Sequence, residues 1–220
     1  MKLVIFDLDG TLLNTLADLA DGANFAMKYY NFPTHPLDSF RYMVGNGVPK
    51  LIERCLPESE RSPEMIKEAV EIFNGYYNVH YADKTRPYEG IPELLDALKS
   101  AGIKTAVASN KPDGFTRSLV KSFFGDSFSI VHGSLPDVPK KPAPDIALRI
   151  MKSIGASAED TYFAGDSNVD IYTAHNAGIT AIGCLWGFRT KEELTGAGAE
   201  HLAEKPRDIL DIVNNYTVKE

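Results

Sequence analysis

Cysteine is scarce: the chain of 220 residues carries two, Cys55 and Cys184. They fit neither a metal-ligand spacing nor a disulfide framework. They are expected as buried free thiols in a reducing compartment, which points to a cytoplasmic protein. Long hydrophobic runs are also missing. No segment approaches the ~20 apolar residues of a membrane span. The apolar start Leu3–Phe6 is broken by Asp7, too soon for the core of a secretion signal. Positive charge is in deficit, with a formal net charge of −7, which argues against a general nucleic-acid binder. An anionic small substrate stays possible, because the local field of a pocket can oppose the net charge. The five histidines show no ligand spacing, and His175 reads as a packing or surface residue. Asn215-Tyr216-Thr217 matches a glycosylation acceptor that a cytoplasmic chain would not use. There is no internal repeat and no low-complexity segment. What remains, 44% apolar and 24% charged residues, is the balance of a soluble globular chain with a sizeable core. Its length suits one large domain or a domain with a smaller module.

Five short apolar runs read as buried strands: Leu3–Phe6, Ile103–Ala108, Phe128–Val131, Thr161–Ala164 and Ile179–Cys184. Each is too short for a helix, and near-continuous apolarity suits a parallel strand covered on both faces. Between the later runs the spacing turns helical. Ile91, Leu94, Leu95 and Leu98 precede the stop signal Gly102, and Ala147, Ile150, Met151 and Ile154 precede Gly155. Alternating helix and strand from about residue 86 predicts a doubly wound parallel α/β sheet.

The stretch from about 15 to 82 differs. Leu16, Leu19, Ala20 and Ala23 form one helical stripe; Ile66, Ala69, Val70 and Phe73 form another; no strand is evident. Roughly seventy residues exceed what one crossover helix needs. An α-helical module inserted between the first two strands is therefore expected. Residues 1–14 and 86–220 would form the core and residues 15–85 the insert.

The chemistry-bearing residues fall at strand ends. In an open parallel sheet, ligands bind beyond the carboxyl ends of the strands. The first strand runs into Asp7-Leu8-Asp9-Gly10-Thr11, and alternation sends Asp7 and Asp9 to the same side. Two carboxylates so close call for a hard cation or a proton on one of them. Gly10 permits a sharp exit. The second run ends in Ser109-Asn110-Lys111, where a hydroxyl and backbone amides can cradle a phosphate oxygen; alone, it is equally a turn. Lys140-Lys141-Pro142-Ala143-Pro144 puts cations before a helix start at Pro144-Asp145; alone, it reads as a solvated loop. The fourth run ends in Gly165-Asp166-Ser167-Asn168-Val169-Asp170, alone a helix cap. Together, Asp/Asp, Ser, Lys and Asp/Asp are the parts that phosphoryl transfer needs.

These four motifs, in this order and spacing, resemble the haloacid dehalogenase superfamily in its phosphatase branch with a helical cap. The resemblance covers essentially the whole chain, including Tyr88-Glu89-Gly90-Ile91-Pro92 where it returns from the insert. It implies a magnesium-dependent hydrolase of a small-molecule phosphate ester. Asp7 would attack phosphorus and form an aspartyl-phosphate. Asp9 would protonate the leaving oxygen and then deprotonate the attacking water. Mg2+ would be held by Asp7, the Asp9 backbone carbonyl and Asp166, with Asp170 close behind, directly or through water. Ser109, the Asn110 amide and Lys141, the lysine directly before Pro-x-Pro, would stabilise the transferring oxygens. Thr11 would orient the Asp pair at the phosphate site.

Gly45-Asn46-Gly47-Val48-Pro49-Lys50 has neither the third glycine of a dinucleotide fingerprint nor a P-loop pattern. By its residues it is a loop. By the resemblance, Val44-Gly45-Asn46-Gly47 is similar to the substrate-specificity loop of phosphoglycolate phosphatase-like enzymes, so Gly45, Asn46, Lys50 or Arg54 could meet an anionic part of the substrate. Phosphoglycolate, pyrophosphate, sugar phosphates and nucleotides all remain open, as does the oligomeric state. A β-phosphoglucomutase-like phosphate transfer shares every core motif. A dehalogenase would lack the second aspartate, present here as Asp9. A non-catalytic binding protein is disfavoured, because all six polar core positions are filled.

Overall fold

The computed structural model describes residues 1–215; Tyr216 and Thr217 lie outside them. The chain divides into two compact units, Met1–Leu13 together with the chain from Pro87 onward, and Asn14–Arg86.

The first unit is built on a parallel sheet. In chain order its strands are β1 (Leu3–Phe6), β4 (Lys104–Pro112), β5 (Ile130–Ser134), β6 (Thr161–Gly165), β7 (Thr180–Cys184) and β8 (His201–Ala203), arranged β5-β4-β1-β6-β7-β8. The intervening β2 (Leu13–Asn14) and β3 (Arg86–Pro87) pair as a separate ribbon. All four residues of β1 are fully buried, as a strand with parallel neighbours on both edges and cover on both faces must be. Leu3 and Ile5 belong to one apolar cluster with Ala147, Ile150, Phe163 and Ile171. On its other face Phe6 meets Phe128 edge-on, with centroids 6.3 Å apart.

The helices of this unit are α5 (Ile91–Ser100), α6 (Asp113–Phe124), α7 (Asp145–Ile154), α8 (Asn168–Ala177), α9 (Lys191–Gly196) and α10 (Pro206–Asn215). The apolar stripe read on α5 is buried throughout, and α7 buries Ala147, Ile150 and Met151. α7 and α8 end at Gly155 and Gly178, both in the left-handed conformation that glycine adopts without a Cβ clash.

Three strand assignments need correction. β4 runs on to Pro112 instead of stopping at Ala108, with an irregularity in its pairing to β5 between these residues. Polar Ser109-Asn110-Lys111 therefore remain extended, where residue type suggested a turn. β5 starts at Ile130 rather than Phe128, because Phe128 is spent on aromatic contacts with Phe6 and Phe124. β8 is a sixth strand too short and too polar at His201 to give a periodic signal.

The second unit is helical: α1 (Leu16–Tyr29), α2 (Phe40–Met43), α3 (Val48–Cys55) and α4 (Pro63–His80). Leu16, Leu19, Ala20 and Ala23 are all buried. α1 packs closely on α4 at Gly22, where a Cβ would stand 2.9 Å from the Phe73 ring. Phe73 in turn stacks on Tyr77. The buried Asp18 of α1 accepts bonds from the Lys84 amide (2.9 Å), the Thr85 amide (2.8 Å) and the Thr85 hydroxyl (2.7 Å). Both cysteines are buried and free, and burial pushes the Cys55 thiol up to about 12. Among the described residues no helix is long and apolar enough to cross a membrane.

Candidate active site

The register of the sheet assembles the site. Phe6 pairs with Val107 on one side and Ala164 on the other. Asp7 and Asp166, just past β1 and β6, and Ser109 on β4 therefore lie at the carboxyl ends of three adjacent strands or beside them. Asp7, Asp166 and Asp170 each present a carboxylate oxygen within 4.8 Å of the others. The Lys141 ammonium lies 2.8 Å from Asp7 Oδ1 and 2.7 Å from Asp170 Oδ1, 5.2 Å from the centre of the Phe163 ring. Lys140 is exposed.

Glycine is required where the chain passes the carboxylates. Gly10 has φ +91°, and a Cβ there would come within 2.7 Å of the Asp166 carboxylate carbon. A Cβ at Gly165 would overlap the Asp170 side chain.

Three carboxylates against one ammonium leave two negative charges uncompensated in a buried place. Burial raises Asp7 to about 7; Lys141 pulls it down, while Asp170 and Asp9 push it up. Burial raises Asp166 to about 8, with Asp170 and Asp7 adding to the shift and the Phe188 amide and Thr11 hydroxyl opposing it. Burial works against the Lys141 ammonium, but the Asp170 and Asp7 carboxylates outweigh it and hold its pKa above the ordinary lysine value. An all-oxygen set with a surplus of two negative charges fits a hard divalent cation such as Mg2+.

The side chains around this cluster are fixed by their own partners. Asp170 is committed through both oxygens: Oδ1 to Lys141, and Oδ2 to the Ser167 amide (3.1 Å) and hydroxyl (2.7 Å). Asp166 accepts from the Phe188 amide at 2.8 Å. The buried Thr11 hydroxyl donates to Asp166 Oδ1 at 3.1 Å. Ser109 Oγ accepts from the Lys111 amide at 3.2 Å. The Asn110 side chain clamps the backbone of Lys141, donating to its carbonyl (3.0 Å) and accepting from its amide (2.9 Å).

Asp9 stands apart from the carboxylate trio. Its oxygens face Lys111 Nζ at 3.2 and 3.4 Å. Asp7 and Asp9 thus take different lysines.

The remaining site candidates belong to the helical unit. Gly45 and Gly47 have φ +109° and +86°. Asn46 Oδ1 accepts from Arg54 at 2.9 Å, Arg54 also binds the Met43 carbonyl at 2.7 Å, and Lys50 pairs with Glu53 at 2.8 Å.

Sequence reasoning missed the Asn110 clamp, the Lys111–Asp9 pair and the segment after β7. There Trp186 Nε1 donates to the Thr11 carbonyl at 2.9 Å, one residue before Gly187 and two before the Phe188 amide. The alternation of Ser109 and Lys111 was an available signal for the second. The third gives none, since its bonds use one indole and one backbone amide.

Residues 4–184 match the family model of haloacid dehalogenase-like hydrolases. The chain belongs to this family. A phosphoglycolate phosphatase of Haemophilus influenzae is 35% identical, over 96% of this chain and 98% of its own length. Another of Mannheimia succiniciproducens is 34% identical over the same shares. Among solved structures, one from Lactobacillus delbrueckii subsp. bulgaricus superposes with a TM-score of 0.92 at 29% identity, covering 96% of this chain and 98% of that one. A "predicted phosphoglycolate phosphatase" from Haemophilus somnus gives a TM-score of 0.86 at 31% identity, covering 96% and 97%. The relatives are phosphatases by name, and the parallel sheet with its flanking helices is the fold they share.

Proposed function

We propose that this chain is a Mg2+-dependent phosphatase for a small phosphate monoester, with 2-phosphoglycolate the leading substrate, acting through a phosphorylated Asp7. The observation that carries the reading is the buried trio Asp7, Asp166 and Asp170 around Lys141 at the carboxyl edge of the sheet. The names of the relatives, at 34–35% identity over nearly the whole chain, support the substrate.

Asp7 is the nucleophile. Its carboxylate forms a bond to phosphorus as the bond to the ester oxygen breaks, and Asp9 gives that oxygen its proton. Asp9 then takes a proton from water, whose oxygen attacks the aspartyl-phosphate and returns free Asp7 and inorganic phosphate. Lys141, locked at its backbone by Asn110 and held through Asp170 by Ser167, keeps Asp7 in place and offers positive charge to the phosphoryl oxygens. Ser109 and the Asn110 amide supply further donors. Asp7, Asp166, the Asp9 carbonyl and Asp170 would hold Mg2+, with Asp170 acting through water because both its oxygens already have partners. When bound, the ion neutralises charge that builds on the phosphoryl group. Residues 15–85 act as a cap that selects the substrate through Gly45, Asn46 and Lys50.

The test is a rapid-quench experiment with 32P-labelled phosphoglycolate and Mg2+. Label should become acid-stably attached to wild-type protein, chase into inorganic phosphate, and be absent from Asp7→Asn. Phosphate release without labelled protein, or labelling of Asp7→Asn, defeats the covalent route. An isomeric phosphate ester as the product defeats hydrolysis.

A further inference from the structure

The Lys111 ammonium is buried, its side chain 3% exposed, and Asp9 faces it with 18% exposure. The two contacts, at 3.2 and 3.4 Å, straddle both Asp9 oxygens. Charge-assisted N–H···O bonds ordinarily close to ~2.7–2.9 Å. Lys141 reaches that range with both its carboxylates, at 2.7 and 2.8 Å; Lys111 does not. A buried ammonium must keep a counter-ion, and the Asp9 carboxylate faces Lys111 through both oxygens at a looser spacing.

The position is as informative as the spacing. Lys111 lies on β4 two residues after Ser109, on the extended segment that overshoots β1. Its backbone is pinned: the amide donates to Ser109 Oγ, and the carbonyl accepts from Thr116 at 3.2 Å. A long, flexible arm thus starts from a fixed point beside the reacting groups. In the proposed reaction Asp9 must turn to the leaving oxygen. It must then give up its contacts with the Lys111 ammonium, and an anion of the substrate can take its place.

We propose that Lys111 reads a second anionic group on the substrate, a carboxylate close to the ester oxygen, which replaces Asp9 as its counter-ion. The inference rests on the phosphatase reading and adds the residue that recognises the leaving group. The exchange is neutral in charge, one carboxylate for another. It also couples recognition to chemistry: a carboxylate-bearing substrate releases Asp9 to the leaving oxygen, whereas an ester without one leaves Asp9 engaged.

The experiment compares 2-phosphoglycolate with 2-hydroxyethyl phosphate, in which a hydroxymethyl group stands where the carboxylate was. kcat and KM are measured for both with Mg2+ in wild type, Lys111→Met and Lys111→Arg. The wild type should favour phosphoglycolate. Losing a hydrogen bond between charged groups should shrink that preference about 10- to 100-fold in Lys111→Met. Lys111→Arg should restore part of it. A purely structural Lys111 would lower both substrates by one factor and leave the ratio unchanged, and that result overturns the inference, as does an unchanged ratio without loss of rate. If Lys111→Met does not fold, the same ratio in Lys111→Gln and Lys111→Arg decides. Failure of the wild type to hydrolyse either ester would instead defeat the phosphatase reading.

Discussion

Asp7 is a nucleophile in a place that resists its charge. Burial and the neighbouring carboxylates raise it to about 7, and Lys141 opposes them. Asp7→Asn should therefore remove all phosphate release without destabilising the metal-free chain. Lys141 keeps its 2.7 Å partner Asp170, and a costly carboxylate is gone. At about pH 8, calorimetry should find the variant at least as stable as wild type; a loss beyond about 1 kcal/mol would contradict this account of Asp7. Lys141→Met should do the reverse. It strips the ammonium from two buried carboxylates, which costs about 3–5 kcal/mol when one partner of a buried pair is lost. Part of that loss should return on adding Mg2+, because a divalent cation can stand in for the missing charge. No recovery with Mg2+ would place the ion elsewhere.

Asp7 and Asp166 set a dependence on pH. Asp7 at about 7 and Asp166 at about 8 lie above the ordinary value of 3.8. Between the ordinary and raised values the folded chain binds more protons than the unfolded chain, so stability falls as pH rises. This contribution is fully present below about pH 4 and is lost through about pH 7–8. Without metal, the melting temperature should drop between about pH 4 and about pH 8, and the increment given by Mg2+ should grow over that range. A metal-free melting temperature that rises across it would be the wrong sign.

At the scale of elements, legibility followed apolarity. β1, β6 and β7 were readable as apolar runs, and the Asp7, Ser109 and Asp166 positions followed from where those runs stop. β4 was readable only to Ala108, since its polar tail is held extended by a neighbour rather than by its own residue types. The Asn110 side chain is engaged with the Lys141 backbone. That pairing joins residues 31 apart, and no local pattern encodes it. Asp18 was hidden for the same reason: on α1 it reads as a polar helix position, while its partners are 66 and 67 residues away. Asp18→Ala would leave the Lys84 and Thr85 donors without their buried acceptor, at about 1–3 kcal/mol. Hydrogen exchange at the Lys84 and Thr85 amides should quicken well before that of the β1 amides. Equal protection in variant and wild type would show that Asp18 does not hold this corner.

For the whole molecule, the proposal divides the work. The chain parts between Leu13 and Asn14 and again between Arg86 and Pro87. The insert was legible because some seventy strand-free residues exceed a crossover's need; the Arg54 contacts of its loop were not, because they are tertiary. Gly45 and Gly47 have positive φ, which holds a turn that other residues rarely adopt. Arg54 braces that turn at Asn46 and Met43, and Lys50 rests on Glu53 in an exposed pair worth little to stability. Lys50→Ala and Asn46→Ala should consequently fold normally. If this loop selects the substrate, they should lower kcat/KM for phosphoglycolate by about 10-fold or more while sparing a small aryl phosphate, whose good leaving group needs no grip from the insert. Gly45→Ala should act in the same direction through backbone strain. Rates for both esters in each variant decide the matter: a common factor for the two substrates across all three variants would remove the loop from specificity and leave the first unit to choose.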